Sequence, residues 1–301
     1  MAVKYIVSSL YSNMKLNVSL YIPVYNGEST IESVLKSVIK LSPGPDEIIV
    51  VNDGSSDKTK NILEKYINQI KIINNSSNMG LGYSRNRGVS ESKNEDIASL
   101  DADVEVNSNW LKDLFEIKEK FGSAISGGKL REKYKDRSIY DHWRHFHATQ
   151  NSFGEKDIEN LGKPLAGSNT LLSKSAWKKV GGYDNQYKTN GEDATFCQKL
   201  LSSNYKISYS AKAISYHLRT DNLRSLADSS RRGYIYGAGL KKPTAMRFVQ
   251  RSIRHFKGFL INSMNDLMKL RFALIYVGFM IFVNHVYKEF LGLIKKKADY
   301  V

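Results

Sequence analysis

The stretch ASLDADVEVN, residues 98–107, ends an apolar run with Asp101 and Asp103, which are separated by a single residue. Two carboxylates this close repel each other, and burying them is costly unless a positive charge lies between them. The stretch therefore predicts a buried strand whose carboxyl end holds a divalent cation.

Short apolar runs alternate with helical periods on the N-terminal side of this stretch. Strands are predicted at 18–23, 47–51, 70–73 and 97–100, and helices at 29–41, 58–67 and 81–90. Such alternation is typical of an α/β fold with a mostly parallel central sheet and helices on both faces. Ligands bind at the carboxyl ends of the strands in such sheets. Because Asp53, Asp101 and Asp103 follow predicted strands, we expect them to share one crevice.

The second half of the chain is less regular. Residues 131–163 are rich in charged and aromatic side chains without a clean period, which indicates a long, partly helical excursion. A strand is predicted at 164–173, a short helix at 175–184 and a helix at 192–204. The last helix opens with Glu192 and Asp193. Acids in a first turn stabilise a helix N-terminus, so this pair alone is explained equally well by helix stabilisation and by catalysis.

Composition limits the class of protein. With 301 residues, 41% of them hydrophobic, the chain can bury a large core and is not a disordered tail. The single cysteine, Cys197, excludes an internal disulfide and a thiolate zinc cluster. The N-terminal apolar runs are too short and interrupted for a secretory signal. We therefore predict a cytoplasmic protein, peripheral on the inner face of the cell membrane.

The positive charge is concentrated near the C-terminus. The formal net charge is +15, and residues 219–301 hold 16 Lys or Arg against 5 Asp or Glu. Basic and apolar side chains share helical spacing there: Arg247, Arg251 and Arg254 beside Phe248, Val249, Ile253 and Phe256. Basic amphipathic helices bind anionic membranes. Nucleic-acid binding is not predicted, because it would leave the following apolar stretch without a role.

That apolar stretch covers residues 272–294 and is interrupted by polar side chains. A membrane-spanning helix needs about 20 consecutive, predominantly apolar residues. An interfacial or partly inserted helix is therefore favoured, with a buried core or dimer helix and a true span as alternatives.

Six motifs occur in a fixed order along the chain: PVYN at 23–26, NDGSSD at 52–57, N-x-G-x-G-x-x-R-N at 78–86, LDADV at 100–104, GGYD at 181–184 and NGED at 190–193. Their order and spacing resemble the inverting glycosyltransferase family 2, with the GT-A fold, over roughly residues 17–220. The resemblance implies a catalytic domain at 1–220, with a nucleotide-binding half at about 17–107 and an acceptor half at about 108–220. The helical basic region at 221–301 would follow it.

The resemblance also implies roles for the matched residues. Pro23, Val24 and Tyr25 would line the base pocket, and Asp53 would hydrogen-bond the base. Asp101 would bind the ribose and, together with Asp103, the metal on the diphosphate. Asp193 would be the catalytic base, and Glu192 would be its companion on the acceptor side. A histidine near His217 is a further metal ligand in several relatives, with a structural histidine as the alternative.

Two other side chains are candidates from their context. Arg85 is expected to face the nucleotide, although an arginine on a helix surface is the commoner situation. Trp143, within DHWRHFH at 141–147, is expected to stack on the acceptor. The surrounding histidines have neither one helical face nor a tight metal spacing, which favours structural or surface positions.

The predicted reaction follows from these roles. A nucleotide-diphosphate sugar donates its sugar to a carbohydrate or lipid-linked acceptor while Mn²⁺ or Mg²⁺ neutralises the diphosphate and a carboxylate takes the acceptor proton. Assembly of a cell-surface polysaccharide, glycolipid or glycoprotein glycan is the expected context. The alternatives are a nucleotidyltransferase on a related scaffold, although residues 23–30 lack its glycine-rich basic loop, and a non-catalytic membrane-binding protein on a degenerate scaffold. A processive synthase is disfavoured, because the Q-x-x-R-W signature is absent.

Overall fold

A computed structural model describes residues 15–237 and 244–295. It divides the chain into two compact units. The first, here called the sheet unit, comprises Met1–Arg131 and Gln150–Leu218, and the second, the helical unit, comprises Glu132–Thr149 and Arg219–Val301. Residues 132–149 therefore group with the C-terminal helices, whereas the sequence placed them in the acceptor half.

The described strands form one eight-stranded sheet in the order β3-β2-β1-β4-β7-β6-β8-β5. The strands are β1 Lys15–Val24, β2 Gly44–Asn52, β3 Lys71–Asn74, β4 Asp96–Leu100, β5 Val104–Val106, β6 Ile125–Glu132, β7 Asn169–Ser173 and β8 Ile207–His217. The pairs β1/β2, β1/β4 and β2/β3 are parallel. The pairs β4/β7, β6/β7 and β5/β8 are antiparallel. The predicted α/β fold is confirmed, with its parallel half at the predicted N-terminal strands.

The described part of the chain also forms ten helices. They are α1 Ile31–Ile39, α2 Thr59–Glu64, α3 Leu81–Glu91, α4 Trp110–Phe121, α5 Ile139–His147, α6 Lys174–Lys179, α7 Glu192–Ser202, α8 Leu223–Gly237, α9 Ala245–Met268 and α10 Phe272–Lys295. Neighbouring residues of β1 pack into different cores, Leu20 in one and Tyr21 in the other. Both faces of this strand are therefore buried, which explains its nearly continuous apolar sequence.

One predicted strand is shorter than expected. The apolar pattern at 164–173 predicted a strand throughout, but β7 begins only at Asn169. The peptide of Gly167, just before it, bonds to side chains instead: its oxygen accepts from Arg85 and its nitrogen donates to Asp193. This irregular segment contributes to the site described below.

Buried ion pairs explain why residues 132–149 belong to the helical unit. The Arg144 guanidinium is 4% exposed, and its Nη2 lies 2.8 Å from Glu132 Oε2. The same guanidinium also pairs with the buried carboxylate of Asp221, just before α8. A buried charge is costly without such partners, so these contacts tie α5 to the beginning of the C-terminal region.

Candidate functional site

The predicted base-binding residues lie together at the carboxyl ends of β1 and β2. The Asp53 backbone N–H donates to the Val24 carbonyl at 2.8 Å. Pro23 and Val24 end β1 and are buried, while the next residue, Tyr25, is 50% exposed. The exposed ring of Tyr25 is thus available to a ligand at the strand ends.

Asp53 also organises the segment that precedes α3. Its carboxylate accepts hydrogen bonds from Asn75 Nδ2 at 2.6 Å, Met79 N at 2.9 Å and Gly80 N at 2.9 Å. Asp53 itself is only 4% exposed. Its position at the strand ends agrees with the predicted nucleotide side, and these bonds add a second role, which is to hold the start of α3 against the sheet.

Two of the three predicted metal ligands are neighbours: Asp103, just before β5, and His217, at the end of β8. His217 ends β8 and is paired with Val104 of β5 in the antiparallel register. This pairing brings His217 Nε2 to 3.2 Å from Asp103 Oδ2. Their side chains are 15% and 39% exposed, so a ligand in solvent can reach both.

The donor set is suited to a cation that is shared with a nucleotide. Among residues 15–237 and 244–295, no group of three or more His, Cys, Asp or Glu side chains is arranged to hold a metal ion. Asp103 and His217 offer one carboxylate and one imidazole. Mg²⁺ typically binds through one or two protein carboxylates together with substrate phosphates, so these residues fit a cation completed by a diphosphate.

Arg85 supplies the positive charge next to Asp101. Its Nη2 donates to Asp101 Oδ1 at 2.8 Å, and its side chain is 1% exposed. The arginine therefore lies neither on a helix surface nor, as predicted, against the nucleotide, because its guanidinium is enclosed by protein. The unusual pair of aspartates is stabilised in part by this internal cation.

The same guanidinium reaches the acidic pair at the start of α7. Arg85 Nε donates to Glu192 Oε1 at 3.0 Å, and Nη1 donates to Ser99 Oγ at 2.8 Å and the Gly167 carbonyl at 3.1 Å. The Gly167 N–H in turn donates to Asp193 Oδ2 at 2.9 Å. We call these side chains and the Gly167 peptide the Arg85 network. It links Asp101, the predicted donor-side residue, to both predicted acceptor-side acids.

Gly167 is required by this packing. A Cβ atom on Gly167 would lie 2.9 Å from Arg85 Cζ, which is too close for a real contact. Neither Ser99 nor Gly167 was singled out from the sequence. The only available signal was a glycine inside an apolar run, which indicates a close approach of other groups to the backbone without naming them.

Burial dominates the electrostatics of Glu192. Its side chain is 1% exposed, and its Oε2 has no hydrogen-bond partner within the described parts of the chain. Burial, assisted by the neighbouring Asp193, raises the pKa of Glu192 to about 8, and Arg85 opposes this shift. Burial also raises the pKa of Asp101 above its usual value, again against Arg85. Glu192 is therefore the carboxyl group that retains its proton near neutral pH.

A raised pKa makes stability depend on pH. Between the ordinary value of 4.5 and about 8, the folded chain keeps a proton on Glu192 that the unfolded chain has lost. Through this group, the free energy of unfolding should therefore fall by up to about 1.4 kcal/mol per pH unit as pH rises through that window. We expect Glu192→Gln to remove this contribution, so that its stability relative to wild type grows with pH.

Urea unfolding in EDTA across this pH window measures the effect. Glu116→Gln is the control, because the Glu116 side chain is 61% exposed. It should reproduce the wild-type pH dependence. Parallel curves for wild type and Glu192→Gln would show that Glu192 ionises normally.

Trp143 is a buried residue of the helical unit. It is 5% exposed and belongs to the core of the helical unit, packed with Leu226, Val277 and Ile281. The predicted role in stacking on an acceptor is not supported, because the ring is packed in this core. The apolar spacing of α5 is explained by core packing instead.

Two family models match the sequence of this chain. The sequence model of glycosyl transferase family 2 matches residues 19–181, more than half of the chain. The model described as the N-terminal domain of galactosyltransferase matches residues 144–221. Together these matches cover every residue of the Arg85 network.

Two curated relatives are bacterial enzymes. The poly-β-1,6-N-acetyl-D-glucosamine synthase of Staphylococcus epidermidis is 26% identical over 214 residues, which is 69% of this chain and 52% of the relative. The O-antigen chain rhamnosyltransferase of Salmonella anatum is 28% identical over 187 residues, covering 59% and 58%. The chain thus spans about half the length of these relatives.

Solved structures share the fold. The structure of S. aureus TarS 1-349 in complex with UDP-GlcNAc has a TM-score of 0.53 at 21% identity, covering 72% of this chain and 65% of that one. The structure of GalNAc-T7 with UDP, GalNAc and Mn²⁺ has a TM-score of 0.53 at 19% identity, covering 72% and 47%. At these identities the likeness establishes the GT-A fold alone.

Proposed function

Because the chain belongs to glycosyltransferase family 2, we propose that it moves a sugar from a nucleotide-diphosphate sugar to an acceptor hydroxyl, with inversion at the anomeric carbon. The observation that carries this proposal is the Arg85 network. It joins Asp101 on the donor side to Glu192 and Asp193 on the acceptor side within one compact unit. A transferase needs both substrates at one site, and this network connects the residues for each.

On the donor side, Tyr25 and Asp53 would hold the nucleoside at the ends of β1 and β2. Asp103 and His217 would hold Mn²⁺ or Mg²⁺, which when bound neutralises the charge on the departing diphosphate. The pairing of Asp101 with Arg85 keeps that carboxylate in place for the ribose.

On the acceptor side, Asp193 would act as the general base. The acceptor oxygen attacks the anomeric carbon while its proton passes to the Asp193 carboxylate. The bond from the anomeric carbon to the diphosphate oxygen breaks, and its electron pair leaves with the nucleoside diphosphate. The Gly167 N–H orients the base, and a neutral Glu192 adds no second negative charge beside it.

We assign the acceptor to cell-surface polysaccharide or glycan assembly on the cytoplasmic face of the membrane. The support is the naming of the bacterial relatives as a polysaccharide synthase and an O-antigen transferase. A carbohydrate or lipid-linked hydroxyl is the acceptor class, and the strongly basic C-terminal region is suited to a membrane surface.

The metal proposal predicts a loss of donor binding in Asp103→Asn. An amide has no charge with which to hold the cation, so we expect the affinity for UDP-GlcNAc in Mn²⁺ to fall by about tenfold or more. Calorimetric titration of the probe in Mn²⁺ and in EDTA measures it. Glu105→Gln, two residues further along the chain, is the matched control and should bind as wild type does.

Equal wild-type affinity in Mn²⁺ and in EDTA would contradict the metal proposal. If UDP-GlcNAc does not bind the wild type at all, the same titration is repeated with other nucleotide sugars. The comparison between Asp103→Asn and Glu105→Gln stays the same for each of them.

A further inference from the structure

The helical unit exposes two rows of large apolar side chains. On α9 the row includes Val249, Ile253, Phe256, Leu260, Met264 and Leu267. On α10 it includes Phe272, Tyr276, Phe279, Val283, Phe290 and Ile294. Each of these side chains is at least 42% exposed. A contiguous apolar surface of this kind marks an interaction site, whereas scattered single residues would not.

The two rows lie on the same side of the helix pair. The seam between α9 and α10 contains Phe256 against Phe282, with ring centroids 5.6 Å apart, and Phe259 against Phe279, 6.1 Å apart. At about 100° per residue, each exposed row lies at the edge of the seam, with Phe256 and Phe279 belonging to both, and the two antiparallel helices therefore present both rows on one side. We call this surface the apolar face.

Charged side chains of α10 avoid the apolar face. Between Phe272 and Ile294 the only charged residues are Lys288 and Glu289. Glu289 is 6% exposed and lies 3.1 Å from Arg251 Nη1. Lys288 Nζ lies 3.6 Å from Asp228 Oδ1 of α8. Arg251 was expected on the basic outer surface of α9, but its pairing with Glu289 turns it inward.

Cations line the outer edge of the apolar face. Arg254 and Lys257 are exposed and each follows a residue of the apolar row, Ile253 and Phe256, so they flank that row on the side away from α10. An uncharged apolar strip bordered by Lys and Arg is the pattern of a helix that lies in an anionic lipid interface.

We propose that the apolar face docks on an anionic membrane surface with α9 and α10 lying in the plane of the bilayer. α10 is the one helix of the described residues that is long and apolar enough to span a membrane by length and composition. Crossing would, however, pull Glu289 and His285 away from Arg251 and the Ala227 carbonyl into hydrocarbon. Docking in the plane buries the exposed row and leaves these partners in place.

A second copy of the chain is the competing occupant. It would cover the apolar residues but would bring an identical basic edge close to the first, since a twofold interface pairs the same patch with itself. An anionic surface covers the apolar row and also neutralises Arg254 and Lys257. Lipid is therefore the occupant that satisfies both features.

Vesicle flotation of the full-length protein tests the docking independently of sugar transfer. Wild type should float with phosphatidylglycerol-containing vesicles, and Phe279→Glu should reduce the bound fraction at least about tenfold, because a charge must then enter the lipid. Ile67→Glu, on a side chain 64% exposed in the sheet unit, is the matched control and should float as wild type does. Arg254→Gln with Lys257→Gln should weaken binding to anionic vesicles, whereas Lys60→Gln with Lys112→Gln should not.

Equal flotation of Phe279→Glu and Ile67→Glu would overturn the proposal. So would a wild type that stays off the vesicles but forms a dimer that Phe279→Glu dissociates, since the occupant would then be a second copy.

Labelling of cysteines placed at the two ends of α10 separates docking in the plane from a span. Lys269→Cys and Lys295→Cys should both react with a membrane-impermeant maleimide in sealed inside-out vesicles, and the native Cys197 is buried. Reaction of only one of them before the vesicles are permeabilised would show a spanning helix instead.

Discussion

Asp193→Asn is expected to slow sugar transfer by about a hundredfold or more while leaving donor affinity near the wild-type value. A general base contributes typically about 10²–10⁴ to the rate, and an amide cannot accept the acceptor proton. The Asn side chain can still accept the hydrogen bond that Gly167 N–H now gives to Asp193 Oδ2. The fold and the donor side should therefore survive the change, and the loss should appear in kcat.

Asp113→Asn is the matched control, because Asp113 also lies in the first turn of a helix, α4, but outside the site. It should transfer at the wild-type rate. If Asp193→Asn loses donor binding and keeps most of its transfer rate, Asp193 is a donor ligand or a helix-stabilising acid and not the base.

Arg85→Met is expected to lower the free energy of unfolding by about 3 kcal/mol and to abolish detectable transfer. Breaking a buried ion pair costs about 3–5 kcal/mol because a charge is left without its partner. The lower end applies here, since the Asp101 side chain is 29% exposed and Glu192 can remain protonated. Transfer should fail because Asp101 and Glu192 both lose the guanidinium that positions them.

Arg87→Met on the same helix is the control. Arg87 is half-buried and donates to the Asn74 carbonyl at 3.0 Å and to Asn75 Oδ1, neither of which belongs to the Arg85 network. Its substitution should cost about 1–2 kcal/mol, since a typical hydrogen bond contributes about 1 kcal/mol net. Urea unfolding curves that coincide for the two variants would show that Arg85 is not the internal counter-ion.

The sequence was sufficient to predict those helices and strands whose apolar residues recur with a regular period. β1, α1, β2, α3 and β4 all form within a few residues of their predicted bounds, because buried parallel strands and amphipathic helices leave clear apolar patterns. The strand ends were predictable for the same reason. The contact between His217 and Asp103 depends on the antiparallel register of β5 and β8. No local sequence pattern predicts that register.

The failures have a common physical cause, which is that a side chain's partner is set by tertiary packing. From the sequence, both Arg85 and Trp143 were predicted to contact a substrate, because a charged or aromatic side chain near a predicted site can bind one. In the structure, Arg85 forms ion pairs with Asp101 and Glu192, and Trp143 packs in the core of the helical unit. Spacing alone cannot distinguish a side chain that meets a ligand from one that meets the rest of the protein.

Hydrolysis of a panel of nucleotide sugars by the wild-type chain, in Mn²⁺ and in EDTA, tests whether this chain is a metal-dependent sugar transferase. At least one nucleotide sugar should be cleaved to its nucleoside diphosphate by wild type in Mn²⁺, EDTA should stop the reaction, and Asp103→Asn should not cleave that donor even in Mn²⁺. No cleavage of any donor in the panel, or cleavage that is as fast in EDTA and in Asp103→Asn as in wild type with Mn²⁺, would contradict it.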